Sequence, residues 1–223
     1  MQSAVIIGHQ NGADCDVVAA ELSRQRLSVT IVDRSSGTFG SDCLKTDLTV
    51  HLGSDLSVVS GMVTPRMESE YEVMKTRYQQ GRPVLGVCFG AQMMALALGG
   101  RVVRSKSPEF GFVEVVSEKY PSIFGGRWFQ WHYDEVEVPS NVDIIATNEY
   151  AIQAIQKDRL LGVQFHPEAN DAVFLSWLRD GGTEELRSLS IDPIKLLENL
   201  RARAEEDRQK FYKFFEFTLN LLL

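Results

Sequence analysis

The chain has 223 residues, enough for one α/β domain with a sizeable core. Its apolar fraction of 44% and its charged fraction of 24% are ordinary values for a globular protein. The net charge of −7, with no cluster of Lys and Arg, argues against a nucleic-acid-binding surface.

Cysteine and histidine usage excludes several further classes of protein. The three cysteines are odd in number and irregularly spaced, which argues against a disulfide framework. The four histidines show no ligand-type spacing with cysteine, so we expect no metal. The residues after the first predicted strand, 8–12, do not match a dinucleotide-binding motif, no P-loop motif is present, and we expect no cofactor. Without a long apolar run or a signal-peptide pattern, we expect a soluble cytoplasmic protein.

Predicted strands and helices alternate in the first half of the chain. Strands are predicted at 4–8, 29–32 and 48–52. A helical pattern containing Val17, Val18, Leu22 and Leu27 separates the first two strands. A second helix begins at Thr64-Pro65, with Met67, Tyr71, Met74 and Tyr78 on its inner face. This alternation predicts a parallel, doubly wound sheet.

The pattern changes after Gly99-Gly100. Short strands are predicted at 101–104, 112–116, 136–138, 144–147, 152–155 and 161–165. Few helices separate them, so we expect an antiparallel extension. Helices resume at 172–178, and a long helix with one apolar stripe runs from Asp192-Pro193 to the end. That stripe is explained by docking on the chain's own body or by a partner interface. We predict a domain at 1–182 and a helical extension at 183–223 packed on it.

The segment Gly86-Val87-Cys88-Phe89-Gly90 has the pattern of a nucleophile elbow between a strand and a helix. Glycines on both sides permit a sharp backbone turn. A cysteine at the start of a helix is favoured as a thiolate by the helix dipole. Cys88 is therefore the candidate nucleophile, against the alternative of a buried structural cysteine. Cys15 and Cys43 lack such a context and are expected to be inert.

His166-Pro167-Glu168 supplies a base and an acid after the predicted strand that ends at Phe165. On an extended segment, residues i and i+2 point the same way, so Glu168 can orient His166. Cys88, His166 and Glu168 then form the nucleophile, base and orienting group of covalent acyl transfer. An α/β-hydrolase is disfavoured, because in that fold the acid precedes the histidine in the chain.

These two motifs resemble those of the class I, triad-type glutamine amidotransferases. The nucleophile motif of the family, Gly-x-Cys-x-Gly-x-Gln, corresponds to Gly86–Gln92, and its His-Pro-Glu motif to residues 166–168. The resemblance covers roughly residues 47–169. It implies a free-standing glutaminase domain that is similar to that of GMP synthetase. It implies a flavodoxin-like three-layer α/β sandwich, with a mixed, mostly parallel central sheet and a small antiparallel extension.

Acyl transfer also requires two hydrogen-bond donors for the oxyanion. The backbone N–H of Phe89, which follows the nucleophile, is the first candidate. Gly53, at the end of the third predicted strand, is the second, against the alternative of a simple turn glycine. It matches the glycine loop of the family, but the usual Gly-Gly-Pro sequence is replaced by Gly53-Ser54-Asp55.

Further residues are assigned to substrate binding by the same resemblance. Gln92 lies one helical turn after Cys88 and corresponds to the glutamine that holds the substrate's amino-acid end. The segment Phe129-Gln130-Trp131-His132-Tyr133-Asp134 resembles the family segment whose backbone binds the α-amino and α-carboxylate groups of the substrate, and Trp131 to Asp134 are the candidate binding residues. The family often has glycine where this chain has Tyr133, which affects pocket shape. His132 is equally explained as a core histidine, and Trp131 as a packing residue.

The resemblance implies hydrolysis of the γ-amide of glutamine through a cysteine thioester, with ammonia delivered in trans to an ammonia-accepting synthase. A γ-glutamyl amine or peptide hydrolase with the same triad is the alternative enzyme. A catalytically silent binding subunit is the alternative outside enzymes. We expect L-glutamine or a γ-glutamyl compound as ligand, and neither nucleic acid nor membrane.

Overall fold

The computed structural model describes residues 1–9, 12–37 and 39–223. Gln10 and Asn11, in the loop that the sequence analysis places after the first strand, lie outside the described residues. The strands are β1 (Ser3–Gly8), β2 (Ser28–Asp33), β3 (Leu48–His51), β4 (Val84–Val87), β5 (Arg101–Val115), β6 (Gly126–Glu137), β7 (Asp143–Thr147), β8 (Ile152–Lys157) and β9 (Leu160–Val163). The helices are α1 (Ala13–Arg24), α2 (Asp42–Lys45), α3 (Pro65–Gln79), α4 (Phe89–Ala97), α5 (Pro121–Phe124), α6 (Asp171–Trp177), α7 (Thr183–Ser188) and α8 (Pro193–Leu222).

A seven-stranded sheet in the order β2-β1-β3-β4-β9-β8-β7 forms the centre of the molecule. The first five strands of this order pair in parallel, and β8 and β7 continue the sheet antiparallel. The parallel part repeats the flavodoxin-like order 2-1-3-4-5, with β9 as its fifth strand. The predicted mixed, mostly parallel α/β fold is confirmed.

Helices cover both faces of the sheet. Apolar residues of α1 and α8 pack with the sheet in one core cluster, and those of α3 and α4 pack with it in another. Helix α8 begins where Asp192 Oδ1 accepts a hydrogen bond from the Ile194 N–H and Pro193 occupies the first turn. Among the described residues, no helix is both long and apolar enough to cross a membrane. The division at residue 182 stays a prediction.

The antiparallel region differs from the expected short strands in two ways. First, β5 and β6 are long and pair with each other as a separate two-stranded sheet. A register shift between Arg104 and Glu109 interrupts this ladder, and the sequence pattern breaks there too. Second, β7 and β8 join the central sheet, because β8 turns back on β9 through Asp158 with a φ of 51°.

Smaller differences concern helix ends and short helices. Leu27 is buried but lies beyond the end of α1. Thr64 precedes α3 in extended conformation, but its side chain makes no capping hydrogen bond. Helices α2, α5 and α7 span only four to six residues. Such helices are too short to show the 3.6-residue periodicity on which sequence-based prediction depends.

Candidate active site

Three neighbouring parallel strands bring the candidate site together. Strand β3 ends at His51 and leads to Gly53, β4 ends at Val87 and leads to Cys88, and β9 ends two residues before Phe165. These strands are adjacent in the order β3-β4-β9, so the segments that follow them emerge side by side. The carboxyl ends of parallel strands are the usual location of α/β sites.

The elbow holds Cys88 in a strained backbone conformation, with φ 51° and ψ −106°. A non-glycine residue with positive φ is uncommon and is often found at active sites. The flanking glycines permit close packing, since a Cβ on Gly90 would lie 2.1 Å from the His51 carbonyl oxygen. The Cys88 N–H donates to the Val163 carbonyl at 2.8 Å, which fixes the elbow to β9. Cys88 thus lies at the N-terminus of α4, as the sequence predicts.

His166 and Glu168 are in direct contact, with His166 Nδ1 2.7 Å from Glu168 Oε1. Both side chains are buried. The contact occurs within a turn, in which the Ala169 N–H donates a hydrogen bond to the His166 carbonyl. The prediction of an extended segment here is wrong, although the predicted contact between His166 and Glu168 is present. The His166 N–H donates to the Phe129 carbonyl at 2.9 Å, which ties this segment to β6.

The charges beside His166 favour its protonated form. Burial alone would lower the pKa of His166, but Glu168 and Cys88 raise it well above its usual value of 6.5, through their charges and hydrogen bonds. An imidazolium between a thiolate and a carboxylate is the arrangement that activates a cysteine nucleophile.

Two glutamines line the other side of Cys88. Gln164 Nε2 lies 3.6 Å from Cys88 Sγ, and its Oε1 lies 3.4 Å from Gln92 Nε2. Gln92 Nε2 is also 3.5 Å from the Asp134 carbonyl oxygen. Gln92 is therefore next to the nucleophile, as expected. Gln164 received no role in the sequence analysis, because its contact with Cys88 depends on how β9 lies against β4.

The two candidate oxyanion donors flank the nucleophile. Gly53 packs so closely that a Cβ placed on it would lie 2.9 Å from His166 Cε1 and 3.8 Å from Cys88 Cβ. Phe89 directly follows Cys88 at the first position of α4. In the described part of the chain, the Gly53 N–H and the Phe89 N–H donate to no backbone carbonyl in a turn, a loop or a helix cap.

The segment assigned to substrate binding lies within β6, where its side chains alternate between the two faces of the strand. His132 and Asp134 are buried, whereas Trp131 and Tyr133 are half-buried. His132 Nδ1 lies 3.0 Å from the Asp134 carbonyl oxygen, and Nε2 lies 3.0 Å from Glu109 Oε2 without hydrogen-bond alignment. This environment is that of a buried structural histidine whose edge reaches the cavity.

Asp134 and Tyr133 each have charged partners. Asp134 accepts a hydrogen bond from Ser57 Oγ at 2.7 Å and lies 3.0 Å from Arg104 Nη1. Burial and a hydrogen bond to Glu185 raise the pKa of Tyr133 to about 12, so its hydroxyl stays neutral. The Trp131 carbonyl oxygen lies 3.8 Å from Cys88 Sγ. Trp131 thus contacts the nucleophile through its backbone, while its indole packs against Trp177.

Of the residues that the sequence analysis assigned to the triad, the oxyanion hole and substrate binding, all except Phe89 and Glu168 line one cavity of about 1100 Å³. Several of the lining residues had no assigned role in the sequence analysis. One of them is Trp177, whose ring packs edge-on against His166 with 4.8 Å between the ring centroids. Asp14 is another such residue, and burial together with the charge of Glu168 raises its pKa. No group of His, Cys, Asp and Glu in the described part of the chain is arranged to hold a metal ion.

Cys15 and Cys43 lie outside this cavity and are buried. Burial, and then the charge of Asp14, raise the pKa of Cys15 to about 12. Burial also raises the pKa of Cys43. Both thiols are thereby kept in the unreactive protonated form.

Comparison with known proteins finds relatives that match part of this chain. GMP synthase [glutamine-hydrolyzing] of Aquifex aeolicus is 36% identical over 109 residues, which are 45% of this chain and 21% of that protein. The enzyme of the same name from Clostridium novyi is 36% identical over 126 residues, which are 52% of this chain and 23% of that protein. The match thus spans less than a quarter of each of these relatives.

Solved structures and a family model match much more of the chain. A glutamine amidotransferase from Thermotoga maritima superposes with a TM-score of 0.85 at 25% identity, covering 97% of each chain. One from Methylobacillus flagellatus has the same fold, with a TM-score of 0.84 at 20% identity over 100% of this chain and 96% of that one. The family model "Glutamine amidotransferase class-I" matches residues 18–181. The protein therefore belongs to the class-I glutamine amidotransferase family.

Proposed function

We propose that this protein hydrolyses the γ-amide of glutamine through a thioester on Cys88 and delivers the ammonia to a separate synthase. The observation that carries the proposal is the array of Cys88, His166 and Glu168, with Cys88 and His166 facing one cavity. Family membership supports the amide chemistry. A synthase as ammonia acceptor is supported by the curated relatives, which are synthases named as glutamine-hydrolyzing.

Acylation begins with attack of the Cys88 thiolate on the γ-carbonyl carbon of glutamine. A carbon–sulfur bond forms, and the carbonyl oxygen becomes an oxyanion, for which the Phe89 and Gly53 N–H groups are the proposed donors. His166 donates its proton to the amide nitrogen, the carbon–nitrogen bond breaks, and ammonia leaves. Glu168 transfers no proton itself but holds the imidazole ring in position and stabilises its charge.

Hydrolysis of the thioester uses the same groups in reverse. His166, now neutral, takes a proton from water as the water oxygen attacks the thioester carbon. The second oxyanion forms in the same place, and its collapse breaks the carbon–sulfur bond. The product leaves as the γ-carboxylic acid, which loses its proton to solvent to give glutamate. His166 keeps the proton taken from water, which restores its ion pair with the Cys88 thiolate.

The shape and charge of the cavity favour a second candidate, hydrolysis of γ-glutamyl amines or peptides. A volume of about 1100 Å³ lies slightly above the roughly 300–1,000 Å³ that ligand pockets usually span, which leaves room beyond glutamine. More acidic than basic residues line the cavity, since Arg104, Arg179 and His166 are outnumbered by Asp14, Asp33, Asp55, Asp134, Asp180 and Glu185. Such walls would favour a cationic leaving amine.

Steady-state kinetics on both substrate types separate the candidates. The proposal predicts glutamate release from glutamine that rises when proteins co-purified from the source cell are added. High turnover on γ-glutamyl amines, unchanged by any added protein, would favour the second candidate. Absence of turnover on either substrate type by the folded protein, with or without partners, would indicate a silent binding subunit. The Cys88→Ala variant gives the background rate in every assay.

A further inference from the structure

Arg34, to which the sequence analysis assigned no role, is buried beneath the loop that follows β3. It is only 1% exposed. Its Nη1 donates to the Gly53 carbonyl at 2.6 Å, and its Nη2 donates to the Leu52 carbonyl at 2.8 Å. One guanidinium group therefore binds the carbonyls of two consecutive residues in the loop that carries a candidate oxyanion donor.

This contact determines where the N–H groups of the loop point. The described residues contain no cis peptide bond, and in a trans peptide unit the N–H points opposite to the C=O. Because the Leu52 and Gly53 carbonyls both face Arg34, the Gly53 and Ser54 N–H groups face away from it. Two successive N–H groups on one side of a turn form a concave site for an anion.

The nucleophile lies beside this loop. A Cβ on Gly53 would touch His166 and approach Cys88, and both Gly53 and Ser54 line the cavity, whereas Arg34 does not. Arg34 also packs against the other candidate donor, because its Cζ lies 5.1 Å from the centroid of the Phe89 ring. The same side chain thus contacts both residues proposed to stabilise the oxyanion.

Two further buried side chains hold Arg34 in place. Glu70 on α3 accepts hydrogen bonds from Arg34 Nε at 2.8 Å and from Arg34 Nη2 at 3.0 Å. His51 Nδ1 on β3 lies 3.0 Å from Glu70 Oε1. A planar guanidinium can bind a carboxylate on one edge while donating to carbonyls on the other, which the single ammonium of lysine cannot do.

We propose that Arg34 is a positioning residue that preforms the oxyanion hole, by fixing residues 52–54 so that the Gly53 and Ser54 N–H groups face the reacting carbonyl oxygen. The inference rests on the proposed function, because that function places an oxyanion beside Cys88. Arg34 itself contacts neither the cavity nor the triad and acts through the loop.

Arg77 provides a matched control at the opposite end of the sheet. It is fully buried and also donates to backbone carbonyls, those of Cys43, Thr46, Asp47 and Pro83. Asp47 and Pro83 precede β3 and β4, whereas the site follows them. Arg77→Lys therefore removes comparable buried hydrogen bonds without touching the loop at 52–54.

The kinetic experiment compares Arg34→Lys with Arg77→Lys on whichever γ-glutamyl substrate the wild-type protein hydrolyses. We expect kcat of Arg34→Lys to fall about 10²–10³-fold, as on loss of one oxyanion donor, and KM to change little. Alkylation of Cys88 by iodoacetamide needs no oxyanion hole and should keep its wild-type rate. Arg77→Lys should keep kcat. An unchanged kcat in Arg34→Lys, or an equal loss in Arg77→Lys, overturns the proposal.

A double variant addresses the case in which Arg34→Lys does not fold. Arg34→Met combined with Glu70→Met removes both members of the buried ion pair and leaves no unpaired charge, an exchange that proteins often tolerate. A purely structural role predicts that this folded double variant regains wild-type kcat, which would overturn the proposal. The positioning role predicts the same 10²–10³-fold loss as for the single variant.

A second readout requires no turnover. Nitrogen-15 relaxation of the Gly53 and Ser54 amides should give order parameters of about 0.85 in the wild type and below about 0.6 in Arg34→Lys. In Arg77→Lys these order parameters should equal those of the wild type. If the wild type hydrolyses neither glutamine nor γ-glutamyl amines, the proposed function fails, and these order parameters alone decide whether Arg34 holds the loop. Equal order parameters in the wild type and Arg34→Lys contradict the proposal, even if kcat falls.

Discussion

The backbone of Cys88 has a positive φ, which few residues other than glycine adopt. A residue in a sparsely populated φ/ψ region costs on the order of 1–3 kcal/mol, and surrounding contacts must offset that cost. Here the Cys88 N–H donates to the Val163 carbonyl, and the Cys88 carbonyl accepts from the Gln92 N–H at 3.0 Å. The nucleophile is thus held between β9 and α4 before any ligand is bound.

The short contact between His166 and Glu168 leads to a graded prediction. Replacing Glu168 by Gln removes the orienting charge, whereas replacing His166 by Ala removes the proton carrier. By analogy with other triads, we expect roughly 10⁴-fold and roughly 10⁶-fold losses of kcat respectively. Measurement of kcat for the two variants checks the order. If Glu168→Gln keeps wild-type activity, Glu168 has no orienting role in catalysis.

Glu70 is expected to make the protein less stable in acid. Burial alone would raise the pKa of Glu70, but Arg34 and His51 lower it from 4.5 to about 2. A carboxylate with a lowered folded-state pKa stabilises the protein above pH 4.5 and loses that contribution as the pH falls toward 2. Urea unfolding between pH 6 and 2.5 should therefore show a steeper fall in the free energy of unfolding for the wild type than for Glu70→Gln. Parallel curves would contradict this.

Site residues that lie in short sequence motifs could be predicted from the sequence. Residues that reach the site from distant segments of the chain could not. Cys88, His166 and Glu168 lie within short motifs whose spacing is visible in the sequence. Arg34 and Trp177 carry no local signal, because their contacts with the loop at 52–54 and with His166 arise only from the packing of distant segments. The roles of the motif residues stay proposals.

Among the elements, the loop after β3 packs so closely against the site that Gly53 has little room for a side chain. A Cβ on Gly53 would lie 2.9 Å from His166 Cε1, so Gly53→Ala must displace either the loop or the imidazole. We expect a fall in kcat/KM of about 10²-fold, the cost of misplacing reacting groups by about 1 Å. Gly40→Ala is the control, because a Cβ there meets nothing within 4 Å. Equal activity of the two variants would show that the loop tolerates displacement.

Strand β6 shows why the second half of the chain was harder to predict than the first. Between residues 130 and 134 the buried positions are the polar residues Gln130, His132 and Asp134, and the aromatic residues between them are more exposed. This is the reverse of the usual strand pattern, in which apolar residues are buried and polar residues are exposed. In the first half, by contrast, the buried strands β1 and β4 are continuous apolar runs separated by helices. Hydrophobic pattern alone predicts the parallel half and misses a strand whose inner face serves a site.

At the scale of the whole molecule, helix α8 packs against residues that lie next to the candidate site. Phe214 is fully buried and contacts Trp128 and Phe165, whose rings stack at 4.4 Å. Phe165 directly precedes His166 in the chain. The central sheet, β6 and α8 thus share one core. This favours docking of the terminal helix on its own body over a role as a free partner-binding surface.

Truncation of Phe214 should therefore destabilise the whole fold. We expect Phe214→Ala to lower the free energy of unfolding by about 3–5 kcal/mol, the usual cost of deleting a buried phenylalanine side chain. Ile194, on the same helix but 66% exposed, gives the control, and Ile194→Ala should change stability by less than about 0.5 kcal/mol. Urea denaturation of both variants checks this. Similar stability of the two variants would mean that α8 is not part of the cooperative core.

The central claim, that Cys88 is the nucleophile that accepts the γ-glutamyl group, is tested most directly by covalent labelling with an electrophilic glutamine analogue, a γ-diazoketone. Thiolate character and access select the labelled cysteine. Peptide mapping by mass spectrometry should place the label on Cys88 and spare Cys15 and Cys43, with loss of turnover in proportion to labelling. A label carried mainly by Cys15 or Cys43, or full turnover after complete labelling of Cys88, would contradict the account.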